Sequence, residues 1–538
     1  MNTAEFLTIA ASVVPDRVGL ICEGHQENFA QLQERVLRLA NALQALGLQK
    51  GDKVAVISLN SIPYVETYYA AAKLGLVFVP INYRAKREEL IYMLNHSESA
   101  AVLVGERYLG LVNSLRDELK TVRHFIAYDA RPPEMINYED LLAQHPPEEL
   151  FVDVEDSDPT ILMYTSGTTA LPKGVVLTHL AMSVYVTNTI SPADPTAEEW
   201  EIQLLAVPFY HIAGATTMLS AVWGGRTLVI LPQFDATAWL EAVQRYRVTH
   251  SFLVPTMVKR VIEHPDFNEY DLSSLRLLAY GAAPMPYEVL IQAIEKFRRW
   301  PNVGLMNAYG QTESTSTLTF LGPEDHRIPE EPGPEREKAL RRLRSVGRPM
   351  PDVEVAIMDP QGNILPPGQE GEIVASGPRV MAGYWKREEE TAEALKDGWL
   401  HTGDVGYMDE DGYVYITGRT KDLIIRGGEN IAPGEIEAVL DQHPKVAEAA
   451  VIGVPDVEWG EEVKAIIIPK DPRDLPSLEE LTAFVKGRLA SYKAPKYYAF
   501  VSDLPRNYLG KVLKTELRKL YGEPKNEVAL EAAPASQE

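Results

Sequence analysis

The chain has only one cysteine, Cys22, in 538 residues. That excludes an internal disulfide and a multi-thiolate zinc site, and it points to a reducing compartment, the cytoplasm. Basic residues are scarce too: 52 Lys and Arg against 76 Asp and Glu give a formal charge of −24. A duplex binder needs a basic footprint, so no nucleic-acid partner is expected. No integral membrane segment is expected either. The best candidate, residues 203–225, lacks Asp, Glu, Lys and Arg, but Pro208, His211, Gly214, Gly224 and Gly225 interrupt it. A buried strand, a loop and a core helix account for it better than a span. The opening residues, with Glu5 ahead of a short apolar run and no basic stretch, do not read as an export signal.

What remains is ordinary globular composition, 45% hydrophobic and 24% charged. Length alone suggests three or four domains at about 150 residues each, or one large body and a smaller one. Strand-length apolar runs alternate with helical patterns. Residues 53–59 read as a buried strand, Pro63 opens a helix that Gly75 ends, and residues 76–81 read as the next strand. This is the strand–helix–strand unit of a parallel sheet. It recurs over 276–294, with a strand ending near Ala279 and prolines 284 and 286 before a helix. Near residue 350 the pattern turns to short strands, with Asp411-Gly412 as a hairpin turn. After Arg419 it becomes mixed again: a helix from Pro433 to Leu440, two strands, and a helix from Leu478 to Leu489. The fold class is therefore α/β. A large N-terminal domain (1–419) carries layered α/β subdomains and a β-rich one, and a small α+β domain (420–524) follows. Residues 322–344 read as a solvated surface insertion, and 525–538 as a disordered tail.

The strongest chemical signal lies at 161–175. An apolar strand runs into Thr165, Ser166, Gly167, Thr168 and Thr169, with Lys173 and Gly174 beyond. Hydroxyls and glycine amides cradle phosphate oxygens, and Lys173 adds a cation for the β- and γ-phosphates. Gly174 after the lysine excludes a Walker A loop, which needs Ser or Thr there.

This string resembles the phosphate loop of the AMP-forming acyl-CoA synthetases, the superfamily shared with firefly luciferase and peptide-synthetase adenylation domains. The likeness continues in order along the chain. Pro208-Phe209-Tyr210-His211 resembles the motif that gates the acyl site. Gly281-Ala282-Ala283-Pro284 resembles the adenine-side loop, and Asn307-Ala308-Tyr309-Gly310-Gln311-Thr312-Glu313 the second nucleotide motif. Residues 398–404 and 415–422 resemble the ribose and hinge motifs, and Pro505-Arg506-Asn507 through Gly510-Lys511 the C-terminal lysine motif.

The resemblance implies roles that each segment alone leaves open. Lys511, alone a surface lysine ahead of Lys514, Arg518 and Lys519, would bridge the carboxylate and the α-phosphate, where charge accumulates during attack. Thr312-Glu313, alone equally a helix N-cap pair, would touch the α-phosphate and hold Mg²⁺ together with Thr165. Tyr309 would stack on adenine, beside Asn307 and Ala308. Asp404 would accept from the ribose hydroxyls, a carboxylate being suited to a diol, and Arg419 would make a second ribose or phosphate contact. His211, alone more often a core histidine, would position the acid's carboxylate. Lys421 would be the hinge about which the C-terminal domain swings. That motion withdraws Lys511 and brings Arg426, Gly427, Gly428 and Glu429 to the site, where two glycines let a pantetheine arm pass. ATP and Mg²⁺ are thus the expected cofactors and CoA the co-substrate. Family members are often dimers, so the resemblance allows a homodimer, and transient membrane contact to collect lipid is left open.

The acid is read from the pocket. Tyr210 stands where amino-acid adenylation domains carry an aspartate, which argues against an α-amino acid. Gly310 stands where acetate-specific relatives carry a tryptophan, so glycine is expected to leave room for a longer tail. The walls Ala213, Gly214, Thr217, Gly281 and Ala308 are small and mostly apolar. Local wording is closest to the fatty-acyl-CoA synthetase branch, so a medium- or long-chain fatty acid is expected. An aryl carboxylate, or transfer to a carrier protein in place of CoA, is the alternative. Ala170, for the usual glycine, and Leu509, for the usual Thr or Ser, depart from the pattern without removing a charged group.

Overall fold

The computed structural model describes residues 1–165, 172–426, 429–457, 459–507 and 510–530. Ser166, Gly167, Thr168, Thr169 and Ala170 of the expected phosphate loop lie outside the described residues. So do Gly427, Gly428 and Leu509, and the side chain of Glu429.

Two large sheets form the body. In the first, Lys53–Ile57 pairs in parallel with Val77–Pro80 and Ser99–Val104, and Pro159–Thr165 continues the sheet beside Val77–Pro80. The expected helix between the first two strands runs Ile62–Lys73 with Pro63 in its first turn. Gly75 stops it with a left-handed φ of 67°. In the second sheet, His250–Leu253, Leu277–Gly281 and Gly304–Gln311 run parallel, and Ser316–Leu321 returns antiparallel. The uncharged stretch resolves as expected into strand Ile202–Leu205, a loop, and the buried helix Ile212–Trp223. No helix among the described residues is long and apolar enough to cross a membrane.

A third, all-antiparallel sheet holds Glu354–Met358, Gly371–Ser376, Trp399–Met408 and Val414–Arg419. Gly412 makes the hairpin turn at φ 82°. The last sheet has its own core around Ile424, Ile436, Val451, Ala465 and Leu481. It is built on the hairpin of Val446–Asp456 with Gly460–Pro469, followed in parallel by Tyr497–Val501.

Two sequence expectations need correction. The segment 322–344 is not merely a solvated insertion. It contains helix Pro334–Arg342, buries Leu343, and seats His326 against the Tyr280 hydroxyl at 2.8 Å. The tail is ordered further than expected. Glu527–Ala529 forms a strand parallel to Tyr497–Val501, and the buried Lys464 ammonium pairs with Glu527 at 2.5 Å. An unpaired buried ammonium is costly, so this carboxylate ties the segment down.

Candidate active site

An open α/β sheet leaves its crevice at the carboxyl ends of its strands. Gly304–Gln311 shows where it lies: although it has a strand on each side, every residue from Met306 to Gln311 stays half-buried. This strand delivers Asn307, Ala308, Tyr309 and Gly310, then Thr312 and Glu313 in the short 3-10 turn that follows.

The polar centre is Asp404. It stands on Trp399–Met408 directly across from Arg419, and their side chains pair at 2.7 Å. Its other oxygen accepts from the Tyr309 hydroxyl at 2.8 Å. Lys511 enters the same field from the C-terminal domain. Desolvation and then Arg419 push its pKa down to about 8, with Asp404 opposing them and Lys421 adding to them. The sequence motifs at 309, 404, 419 and 511 thus share one cluster.

The loop carrying Lys511 is clamped. Its amide donates to Asn507 Oδ1 at 2.9 Å, and Arg506 reaches the Gly510 carbonyl and Glu448. Gly510 has φ 81°, and a Cβ built there would lie 2.1 Å from Thr256 Cγ2. Glycine is what lets this loop dock on helix Pro255–Ile262 of the body. At the expected hinge, Asp422 beside Lys421 pairs with Arg518 at 3.1 Å. Arg426 pairs with Glu462 and lies over the Trp459 ring.

The strands that flank the expected phosphate loop pair with each other. Thr165 and Lys173 are partners across the hairpin of Pro159–Thr165 with Lys173–Thr178. The Lys173 ammonium sits 5.0 Å from the centroid of the Tyr384 ring, and the Tyr384 hydroxyl donates to Glu313 Oε1 at 2.9 Å. Tyr384 was not among the residues singled out in the sequence. Its only mark there is the aromatic string Gly383-Tyr384-Trp385, which periodicity cannot tell from core packing.

On the acyl side, His211 caps helix Ile212–Trp223: its Nδ1 accepts from the Ala213 amide at 3.3 Å. Desolvation lowers its pKa to about 4. The ring is therefore neutral at pH 7, and an accepting Nδ1 assigns the proton to Nε2. Tyr210 is buried edge-on against Tyr83. Ala213 and Thr217 share one helix face.

Three glycines are explained differently from the sequence expectation. A Cβ at Gly310 would lie 1.7 Å from the Ser316 carbonyl oxygen, beside the register shift between Tyr309 and Gly310. Those at Gly281 and Gly214 would meet the carbonyls of Ala308 and Pro208 at 2.1 and 2.2 Å. Glycine at 310 is demanded by strand packing, so it is not a sign of room in the pocket. Ala282 takes a left-handed φ of 67° next to Gly281, a strained conformation at the expected adenine side.

Residues 7–385 match the family model described as AMP-binding enzyme, and 435–511 match the AMP-binding enzyme C-terminal domain. The chain belongs to this family, the AMP-forming acid–CoA ligases. It is 37% identical to a feruloyl-CoA synthase of an Amycolatopsis species over 92% of this chain and 94% of that one. It is 35% identical to the indoleacetate–CoA ligase of Aromatoleum aromaticum over 97% and 98%. Among solved structures it resembles a Mycobacterium tuberculosis fatty acyl CoA synthetase, with TM-score 0.78, 34% identity, and coverage of 97% and 99%. The two-part α/β architecture is that of this ligase family.

Proposed function

We propose that the ligase activates a medium- or long-chain fatty acid as its acyl-adenylate and passes the acyl group to CoA. The observation that carries the reading is the Lys511 ammonium in the field of the Asp404–Arg419 pair, at the open end of Gly304–Gln311. In the first step a carboxylate oxygen attacks the α-phosphorus of ATP, the bond to the bridging oxygen breaks, and pyrophosphate leaves. Negative charge grows on the α-phosphate, where a desolvated ammonium stabilises it far more than in water. Lys173 serves the β- and γ-phosphates. Nε2–H of neutral His211 donates to the acid's carboxylate and holds it for attack. Asp404 accepts from the ribose hydroxyls.

Mg²⁺ suits the donor set. Among the described residues no cluster of three His, Cys, Asp or Glu forms a protein cage. Glu313 instead supplies one carboxylate, with one oxygen held by Tyr384. A single acid completed by phosphate oxygens is how Mg²⁺ is commonly held. When bound, the ion spreads the triphosphate's charge.

For the second step the domain from residue 420 turns about Lys421. Lys511 withdraws, and the Arg426–Glu429 segment replaces it. The CoA thiol loses its proton to solvent, its sulfur attacks the acyl carbon, the bond from that carbon to the phosphate oxygen breaks, and AMP leaves. Tyr210, His211, Ala213, Gly214, Thr217, Gly281 and Ala308 include no charged group at neutral pH, which supports an uncharged apolar tail. The similarity to feruloyl-CoA synthase and indoleacetate–CoA ligase favours aryl acids as a second reading.

Acid-dependent pyrophosphate exchange with a panel of fatty acids, ferulate, indoleacetate, acetate and α-amino acids tests this. Fatty acids are expected to lead, with CoA then releasing AMP and thioester. Exchange with no acid overturns adenylation. Ferulate as the best substrate overturns the alkyl assignment.

A further inference from the structure

We propose that Tyr384 is a positioning residue that presets Glu313 and Lys173 for the metal–triphosphate; this rests on the adenylation reading above. The segment 381–385 is fastened to both partners through its backbone. Met381 N–H donates to the Glu313 carbonyl at 2.8 Å. On the phosphate strand, Ala382 and Trp385 N–H donate to the carbonyls of Val176 and Gly174 at 3.0 and 2.8 Å. Gly383–Tyr384 pairs antiparallel with Lys173–Thr178, placing Tyr384 opposite Val175. A further bond, Tyr384 N–H to Thr391 Oγ1 at 2.9 Å, fixes the backbone from the far side.

The side chain then acts at both ends. Its hydroxyl donates to Glu313 Oε1 at 2.9 Å, and no described residue donates to Oε2. One carboxylate oxygen is committed and the other is offered. The ring faces the Lys173 ammonium at 5.0 Å, a distance at which the ring quadrupole attracts a cation. The aromatic thus contacts the ammonium through its ring and the acid through its hydroxyl. Among the described residues Lys173 and Glu313 form no ion pair, and the ammonium lies over the Tyr384 ring instead. A direct ion pair would have to be broken each time a nucleotide entered, whereas the tyrosine keeps the two charges apart and oriented. Residues that orient a metal's ligand typically alter metal affinity by about 10–100-fold.

The test is calorimetric titration of ATP into the full chain, once with excess Mg²⁺ and once with EDTA. Tyr384→Phe removes only the hydroxyl. It is expected to weaken ATP binding about tenfold or more in Mg²⁺, and to leave binding in EDTA unchanged. Adding Y384F to Glu313→Gln is expected to cost nothing further in Mg²⁺, because the two groups act through one interaction. Equal loss in both media, or no loss in either, overturns the proposal. So does an additive loss in the double variant. Wild-type protein that binds no ATP in either medium would instead overturn the adenylation reading itself.

Discussion

Gly510→Ala offers the most direct separation of the two half-reactions. The added methyl meets two obstacles. Gly510 has φ 81°, where an L-residue costs about 1 kcal/mol or more. The new Cβ would also lie 2.1 Å from Thr256 Cγ2 and 2.9 Å from its Oγ1, inside the roughly 3.5–4.0 Å at which carbons rest. The loop must retreat from the body by more than an ångström, taking Lys511 with it. A displacement of that size costs on the order of 10²-fold in a positioned reaction, about 2.7 kcal/mol. Single-turnover acyl-AMP formation should fall by about that factor. Transfer from preformed acyl-AMP to CoA should stay within about twofold, since in the proposed second step Lys511 has left the site. Thr256→Ala in the same chain removes both close atoms and leaves Cβ at 3.1 Å, so it should restore part of the loss. Equal slowing of both half-reactions, or of neither, would refute the reasoning.

Two further outcomes follow from the same geometry. With Lys511 lowered to about 8 in the free enzyme, its ammonium is lost as pH rises through that value. Because kcat/KM reports the free enzyme, the adenylation kcat/KM should decline above pH 8, and a flat profile to pH 10 would contradict the assignment. Gly310→Ala should destabilise the fold by about 2 kcal/mol or more, read as a lower Tm, because its methyl collides with the Ser316 carbonyl. An unchanged Tm with a shift toward shorter acids would return Gly310 to the pocket.

Much of the fold was legible because its signals are local. Pro63 and Gly75 bracket a helix, Asp411-Gly412 turns a hairpin, and helix Pro433–Leu440 has the bounds its pattern gives. The family resemblance brought Tyr309, Asp404, Arg419 and Lys511 into one hypothesis, and they share one cluster. The end of the chain was misjudged because polar composition hides a strand whose anchor, Lys464, lies 63 residues earlier.

Sequence alone determined the alternation of strands and helices, the exclusion of an internal disulfide by a single cysteine, and the inventory of cations and acids for handling phosphate. These depend on residue type and short spacing, which the chain carries whether folded or not. Tertiary structure decided why glycine stands at 310 and 510, and that Tyr384 bridges Lys173 and Glu313 across 211 and 71 residues of chain. Those answers depend on which backbone carbonyl, methyl or ring arrives opposite a residue. Only long-range packing, through contacts that no local period encodes, sets that.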